Sequence, residues 1–369
     1  MIDNFTDITR VTTLDLERQA EVLSGPLLLA FDITNKCNLR CLHCYNRSGG
    51  RLARHELNAD ELLDVGRQIK ALNPMVACLC GGEPLLRGAL LYRLFDMLVG
   101  DKNHVNMVSN GYFITRTVAR DLKKAGAYFV QISVDGSQAQ SHDRMRGVDG
   151  SFNRAIRAIE YLVENDIRVG VAFAPTKFNI HEFPQYLELM KQLGVTEVHV
   201  QPLMPLGECL ANAEELLPTE EDYRWLVDLV YENTYKGTPN FAVEWGDPIE
   251  HFVRFGDAQR GLSLYVDINS EGYLRVSPYL PLYFGQLRKH SLSDYWRAGY
   301  KTIWTLDLVY QYASRIRSVR DLMNITPSPF YGEFIYKDLI DDAPLASVSN
   351  NPISTRGGNN GIQHHSSIQ

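Results

Sequence analysis

The sequence predicts an α/β protein, a partial (β/α)6 TIM-like barrel over residues 27–237 followed by a small α+β domain over 238–343. Three observations predict it. Six apolar, strand-length runs alternate with six helical stretches within about 205 residues, the pattern of βαβ units and a parallel sheet. The chemically distinctive residues all follow the strands, where barrels of this type place reactive groups. Beyond residue 238 short strands replace the alternation, with Glu271-Gly272 as a hairpin turn.

Taken in order, residues 1–26 are polar and mixed and read as an irregular N-terminal extension. Leu27–Thr34 is an apolar run that ends in a polar loop. Asn58-Ala-Asp-Glu61 is a capping box, and Leu62, Val65, Ile69 and Leu72 share one face of the helix it opens. Met75–Cys80 is a short strand closed by Gly81-Gly82-Glu83-Pro84, and a helix follows near Leu90–Val99. His104–Ser109 is a strand stopped by Asn110-Gly111, Thr117–Lys124 a helix, and Ala127–Val134 a strand stopped by Asp135-Gly136. Ser151 is placed to cap a helix carrying Phe152, Ala155, Ile159 and Leu162. Arg168–Ala174, Glu182–Leu193, Thr196–Leu203 and about Glu220–Tyr231 complete the series. Phe241–Trp245, Leu264–Ile268 and Tyr273–Ser277 read as short antiparallel strands, and Ser291–Arg297 as a helix. Residues 344–369 are dominated by Ser, Asn, Gly, Gln and His with Arg356 as the one charge, a disordered tail by composition.

The chain has 369 residues and a formal net charge of −7, which argues against a dedicated nucleic-acid binder. No apolar run reaches membrane-spanning length and the N-terminus has no signal-peptide pattern, so a cytoplasmic protein without membrane or nucleic-acid partners is expected. Six cysteines occur, three of them within eight residues, too close for a disulfide framework; they point to metal or redox chemistry.

That cluster is Cys37-x3-Cys41-x2-Cys44, directly after a buried strand. Thiolates select iron–sulfur clusters or zinc. A [4Fe–4S] cluster normally takes four cysteines, so three leave one iron open for a non-protein ligand, as at catalytic metal sites. The alternative is a structural zinc knot completed by His43 or a distant cysteine. All four ligands would then crowd one short loop, and no second C-x2-C pair is present.

Cys37, Cys41 and Cys44, with His43 before the third cysteine, together with Gly81-Gly82-Glu83-Pro84, resemble the radical S-adenosylmethionine (SAM) enzymes. The resemblance covers roughly residues 27–235. It implies one [4Fe–4S] cluster held by the three cysteines and SAM chelated at the open iron. Gly81, Gly82 and Glu83 would bind the SAM amino group. It also implies a reductant protein of the flavodoxin or ferredoxin type. Asn110, Ser133 and Asp135 stand where the family places ribose or methionine contacts, with ordinary turn chemistry as the other explanation. Arg144 or Arg146 suits the SAM carboxylate, with a solvated loop charge as the other explanation.

Ile132-Ser-Val-Asp-Gly136, His142…Arg146-Gly147 and Gly150-Ser-Phe152 look like the branch that carries a C-terminal SPASM or twitch domain, and residues 264–297 resemble that domain. In that branch a cysteine before the proline holds an auxiliary cluster. Here Ser277 precedes Pro278 and no cysteine follows Cys209, so a cluster-free domain is expected. The branch implies hydrogen abstraction from a peptide or small-molecule precursor in natural-product or cofactor biosynthesis, or modification of a tetrapyrrole side chain. Cys78 and Cys80 are expected in core packing. Cys209, after the sixth strand, is a candidate hydrogen donor to a substrate radical, against a loop cysteine with no role.

Overall fold

The computed structural model describes residues 22–49, 55–100, 103–235, 239–256, 262–325 and 334–342. The expected tail at 344–369 and residues 1–21 of the expected extension lie outside the described residues.

Strands β1 (Leu28–Thr34), β2 (Val76–Gly81), β3 (His104–Ser109), β4 (Phe129–Ser133), β5 (Arg168–Phe173) and β6 (Glu197–Val200) form at the six expected places. They are joined by β7 (Ala242–Trp245), β8 (Tyr265–Ile268), β9 (Tyr273–Arg275), β10 (Leu282–Gln286) and β11 (Ile335–Tyr336). Among the described residues they make one 11-stranded sheet in the order β11-β10-β9-β8-β1-β2-β3-β4-β5-β6-β7. From β8 through β1 to β7 every neighbouring pair is parallel, which is the open, barrel-like core.

Two strands expected to be antiparallel members of the second domain therefore belong to this core. β7 pairs in parallel with β6 (Val198↔Val243), and β8 pairs in parallel with the opposite edge strand β1 (Leu29↔Val266). Edge strands of an open sheet carry unpaired backbone groups, and β7 and β8 cover both. The antiparallel expectation holds from β8 to β9, and β10, a strand the sequence reading did not name, continues it by pairing antiparallel with β9. The turn between β8 and β9 needs Gly272, at φ +85°.

The strands alternate sharply. Leu29, Phe31, Ile33, Leu79, Val105, Met107, Val130, Ile132, Val169 and Val171 are buried in the main core, with helices such as Ala59–Leu72 and Ser151–Glu164 adding Leu62, Ile69, Ile159 and Leu162. Positions between them carry Asp32, Cys80, Gln131, Ser133 and His199, which are half-buried and line a cavity instead. The period of two thus sorts apolar residues to the helix side and polar or small ones to the barrel interior.

The capping box at Asn58 forms: its Oδ1 accepts from the Asp60 and Glu61 amides at 2.9 and 3.0 Å, and Glu61 Oε2 accepts from the Asn58 amide at 2.8 Å. Ser151 does not cap the next helix as expected. It is the first helical residue, after Gly150 in the left-handed region, and its hydroxyl donates to Asp143 at 2.8 Å. Asp143 does the capping from the preceding helix Ala139–Arg146, accepting from the Gly150 and Phe152 amides at 2.7 Å each. A carboxylate carries charge to the helix N-terminus that a serine cannot.

A second core packs Phe252, Leu280, Phe284, Ile303 and Trp304 in the C-terminal part. Ser277 lies in it, 1 % exposed, hydrogen-bonded to His251 Nε2 at 3.0 Å and accepting from the Tyr279 amide at 3.2 Å. Cys78 and Cys80 are not simple core residues: both are half-buried on the barrel interior, with the Cys80 thiol donating to Cys78 Sγ at 3.2 Å. No described helix is long and apolar enough to cross a membrane.

Candidate functional site

The loop after β1 carries Cys37, Cys41 and Cys44, and three elements clamp it by backbone bonds. From the β2 turn, the Gly82 amide donates to Thr34 O and the Glu83 amide to Lys36 O, both at 2.8 Å. From helix Ala139–Arg146, carbonyls of Arg146 and Met145 accept from the Arg40 and Leu42 amides at 3.1 and 2.9 Å. From the short helix Gly207–Ala211, the Glu208 amide donates to Cys44 O at 2.9 Å, and the Arg47 guanidinium reaches Glu208 at 2.8 Å. The start of the loop is held by Glu56, whose carboxylate accepts from Thr34 Oγ1, the Asn35 amide and Arg87.

This contact is why the β2 turn reads Gly-Gly. A Cβ on Gly82 would lie 2.2 Å from Lys36 O, and Gly81 adopts φ +126° against Thr34 O. Only glycine lets two backbones approach so closely.

Each cysteine sulfur receives an N–H group. Leu39 N and Asn110 Nδ2 approach Cys37 Sγ at 3.5 and 3.7 Å, Arg146 Nη1 approaches Cys41 Sγ at 3.8 Å, and Ser48 N approaches Cys44 Sγ at 3.4 Å. Burial pushes the Cys41 thiol up to about 12 and raises Cys37 too. Without a metal the Cys37 and Cys41 thiols stay protonated at neutral pH; a metal converts them to thiolates, which the surrounding donors then stabilise. Three soft donors on one loop, all lining one cavity of about 340 Å3, fit an iron–sulfur cluster with three protein ligands.

The cavity floor above β2–β5 is lined by Gly81, Gly82, Asn110, Ser133, Asp135 and Arg146. Asn110 also makes the turn: its Oδ1 accepts from the Tyr112 amide at 2.9 Å while its Nδ2 serves Asn38 and Cys37. Asp135 is fully buried, its Oδ1 accepting from the Ala174 amide at 3.0 Å and its Oδ2 ion-paired with Arg146 Nη2 at 2.6 Å. Burial alone would raise its carboxyl; Arg146, then His43 and His142, overcome that and hold it below the usual range. Arg146 is therefore committed to Asp135 and Cys41 as well as facing the cavity. Arg144 points away, paired with Glu215 on the surface.

Glu83 sits apart from its expected role. It is 0 % exposed and not on the cavity wall, and its carboxylate accepts from Ser109 Oγ at 3.0 and 3.1 Å and from the Asn110 and Leu85 amides at 2.9 and 3.2 Å. It ties the β2 turn to the end of β3. Burial pushes it from 4.5 up to about 7, although the three donors pull the other way. A carboxyl with a raised native pKa gives the native state extra protons between those values, so stability falls as pH rises from 4.5 to about 7. Glu83→Gln is expected to remove that fall. Urea unfolding midpoints at about pH 5 and about pH 8 check it, with the wild-type decline flattened in the variant.

Cys209, expected at the rim as a hydrogen donor, is a correction. Helix Gly207–Ala211 turns its thiol inward, 0 % exposed, into a cluster with Met145, Leu203, Ala213 and Leu216, and it does not line the cavity. Besides Cys37, Cys41 and Cys44, the cysteine that lines the cavity is Cys80. The sequence reading also missed Asp32, Gln131, His199, Gln201 and Tyr279 on the same wall. For the strand residues the available signal was the alternation itself: each is a polar residue at an inward position of a strand or its extension.

Residues 31–190 match the Radical SAM superfamily. An AdoMet-dependent heme synthase of Methanosarcina barkeri is 25% identical over 292 residues, 74% of this chain and 82% of the relative. Mycofactocin maturase MftC of Mycolicibacterium smegmatis is 32% identical over 209 residues, 56% of this chain and 52% of the relative. Among solved structures, Streptococcus suis SuiB bound to S-adenosylmethionine superposes with a TM-score of 0.61 at 16% identity, covering 82% of this chain and 70% of that one. Native anSMEcpe with bound AdoMet gives 0.58 at 16% identity, covering 79% and 85%.

Proposed function

From the premise that this enzyme belongs to the radical SAM superfamily, we propose that it reductively cleaves SAM and abstracts hydrogen from a peptide or small-molecule precursor in natural-product or cofactor biosynthesis. Cys37, Cys41 and Cys44 would hold one [4Fe–4S] cluster, and Gly81, Gly82, Asn110, Ser133, Asp135 and Arg146 would surround the SAM. The chemistry that pair supplies when bound is one-electron cleavage of the sulfonium to methionine and a 5′-deoxyadenosyl radical, which takes hydrogen from unactivated C–H bonds.

One observation carries the reading: the three cysteine sulfurs and the Gly81-Gly82 turn line the same cavity, with the turn holding the cysteine loop by two backbone bonds. The chain's own residues do the rest. Arg146 keeps a guanidinium beside Cys41 and Asp135 keeps that guanidinium in place. The absence of a Cβ on Gly81 and Gly82 lets the turn lie directly against the cysteine loop at Thr34 and Lys36.

The C-terminal part is proposed as a SPASM-like domain without an auxiliary cluster, its core closed by the Ser277–His251 bond instead of a metal. A flavodoxin- or ferredoxin-type reductant is part of the same proposal. The peptide reading draws on the maturase relatives. Tetrapyrrole side-chain modification is the second reading, favoured by the larger share of the chain that the heme synthase relative matches.

The test is release of 5′-deoxyadenosine from SAM by the anaerobically reconstituted, dithionite-reduced protein, with iron and sulfide measured in parallel. Release with iron and acid-labile sulfide bound is expected. Bound zinc with no release overturns the proposal.

A further inference from the structure

The cavity has further polar and aromatic lining that neither the three cysteine sulfurs nor the SAM-facing turns account for. Asp32 lies on it, an inward position of β1 in register with Cys80 of β2. Arg275, brought in from β9, donates through Nη2 to Asp32 Oδ2 at 2.7 Å and through Nε to Asp267 Oδ1 at 2.5 Å. Two carboxylates thus share one guanidinium. The side chains of Arg275 and Asp267 are 5% and 3% exposed, whereas Asp32 is 14% exposed and faces the cavity. Burial pushes Asp267 up to about 6 against the pull of Arg275, and the charge of Asp32 adds to that rise.

The surplus negative charge therefore sits where a ligand can reach it. An incompletely matched carboxylate in a desolvated cavity is costly, and a cationic ligand relieves that cost. The surroundings suit the same ligand. Tyr45 and Tyr279 meet edge to face at 5.6 Å and line the cavity with Asp32. Tyr45 lies within electrostatic reach of Asp32, and the Tyr279 hydroxyl accepts from Gln201 Nε2 at 3.1 Å. A carboxylate beside aromatic rings is the chemistry that holds an ammonium group.

We propose that this wall is the substrate subsite for an aliphatic ammonium group, accepted by Asp32 with Tyr45 and Tyr279 beside it. The inference rests on the radical SAM reading above and specifies its substrate class: an amine-bearing molecule, from a peptide lysine side chain or a small amine. Arg275 is a positioning residue. Its bond occupies Oδ2 of Asp32 and leaves Oδ1 to accept from the ligand.

The test uses the reconstituted holoprotein and ligand-observed NMR titration with three probes: the capped peptide acetyl-Ala-Lys-Ala-amide, its norleucine counterpart, and butylamine. The lysine peptide is expected to bind at least about tenfold more tightly than the norleucine peptide, a ratio that falls to about one in Asp32→Asn. Asp32→Glu, which keeps the charge and the bond to Arg275, is expected to retain the preference, and it carries the test if Asp32→Asn does not fold. Asp32-dependent binding of butylamine assigns the site to amines at large; binding of the lysine peptide alone assigns it to a peptide. Equal binding of the two peptides by the wild type overturns the inference. So does a preference that survives in Asp32→Asn, or one lost in Asp32→Glu when that is the variant that folds. Failure here with 5′-deoxyadenosine release intact in the wild type removes only the substrate class. An Asp32-dependent preference without that release removes the radical reading and leaves the amine site.

Discussion

Cys41→Ala is expected to abolish 5′-deoxyadenosine release and to leave the reconstituted protein without the iron and sulfide that the wild type holds. Loss of an outer partner of a metal ligand typically costs about 10–100-fold in affinity or activity, so loss of a ligand itself costs more. The Cys41 thiol faces Arg146 Nη1 at 3.8 Å and feels Cys37, Cys44 and Asp135. The fold should survive, because the loop is held by backbone bonds from Arg146, Met145, Gly82, Glu83 and Glu208 that do not involve the sulfur. Far-ultraviolet circular dichroism unchanged, with iron lost, is the expected pair of readings. Iron retained at the wild-type level would contradict the assignment of Cys41 as a ligand.

Arg146→Met is expected to destabilise the protein by about 3–5 kcal/mol, the cost of leaving a buried carboxylate without its partner. Asp135 is fully buried and Arg146 is 8 % exposed, so the pair is formed out of solvent. Asp135→Asn combined with Arg146→Met removes both charges and is expected to recover about 1–3 kcal/mol relative to the sum of the single changes. The pH dependence gives the sign. With Arg146 present the native carboxyl lies below its usual 3.8, so the stabilisation is full above 3.8 and is lost as pH falls through the native value. Without Arg146, burial raises the carboxyl instead, and the variant gains relative stability on acidification. Urea midpoints across that range should therefore converge at low pH, and parallel curves would contradict the pairing.

The parts of the site that were legible in the sequence are those built within a few residues. Cys37, Cys41 and Cys44 share one loop, and the Gly81-Gly82 pair makes a turn whose φ and close backbone contact admit nothing larger. The parts that were misread depend on partners far along the chain. Glu83 carries a carboxylate that a local reading offers to a ligand amine, yet Ser109 and Asn110, 26 and 27 residues on, take it up. Cys209 follows a strand, where barrels place reactive groups, yet the direction of one short helix buries it among Leu203, Leu216 and Met145. Ser151 has the residue type of a cap, yet Asp143 reaches across from the previous helix to do that work.

The sequence by itself determined the strand–helix alternation, the cysteine loop after β1 and the glycine turn after β2, because each follows from side-chain period or from sterics between near neighbours. Only the tertiary structure decided that β7 and β8 extend the parallel sheet at its two edges, and that Arg275 crosses 243 residues of chain to meet Asp32. Edge pairing and buried charge matching are satisfied by whichever partner the fold brings near. Nothing in the local sequence of Asp32 names that partner, since the energy of a buried ion pair depends on distance and desolvation, both of which exist only once the sheet has closed around it.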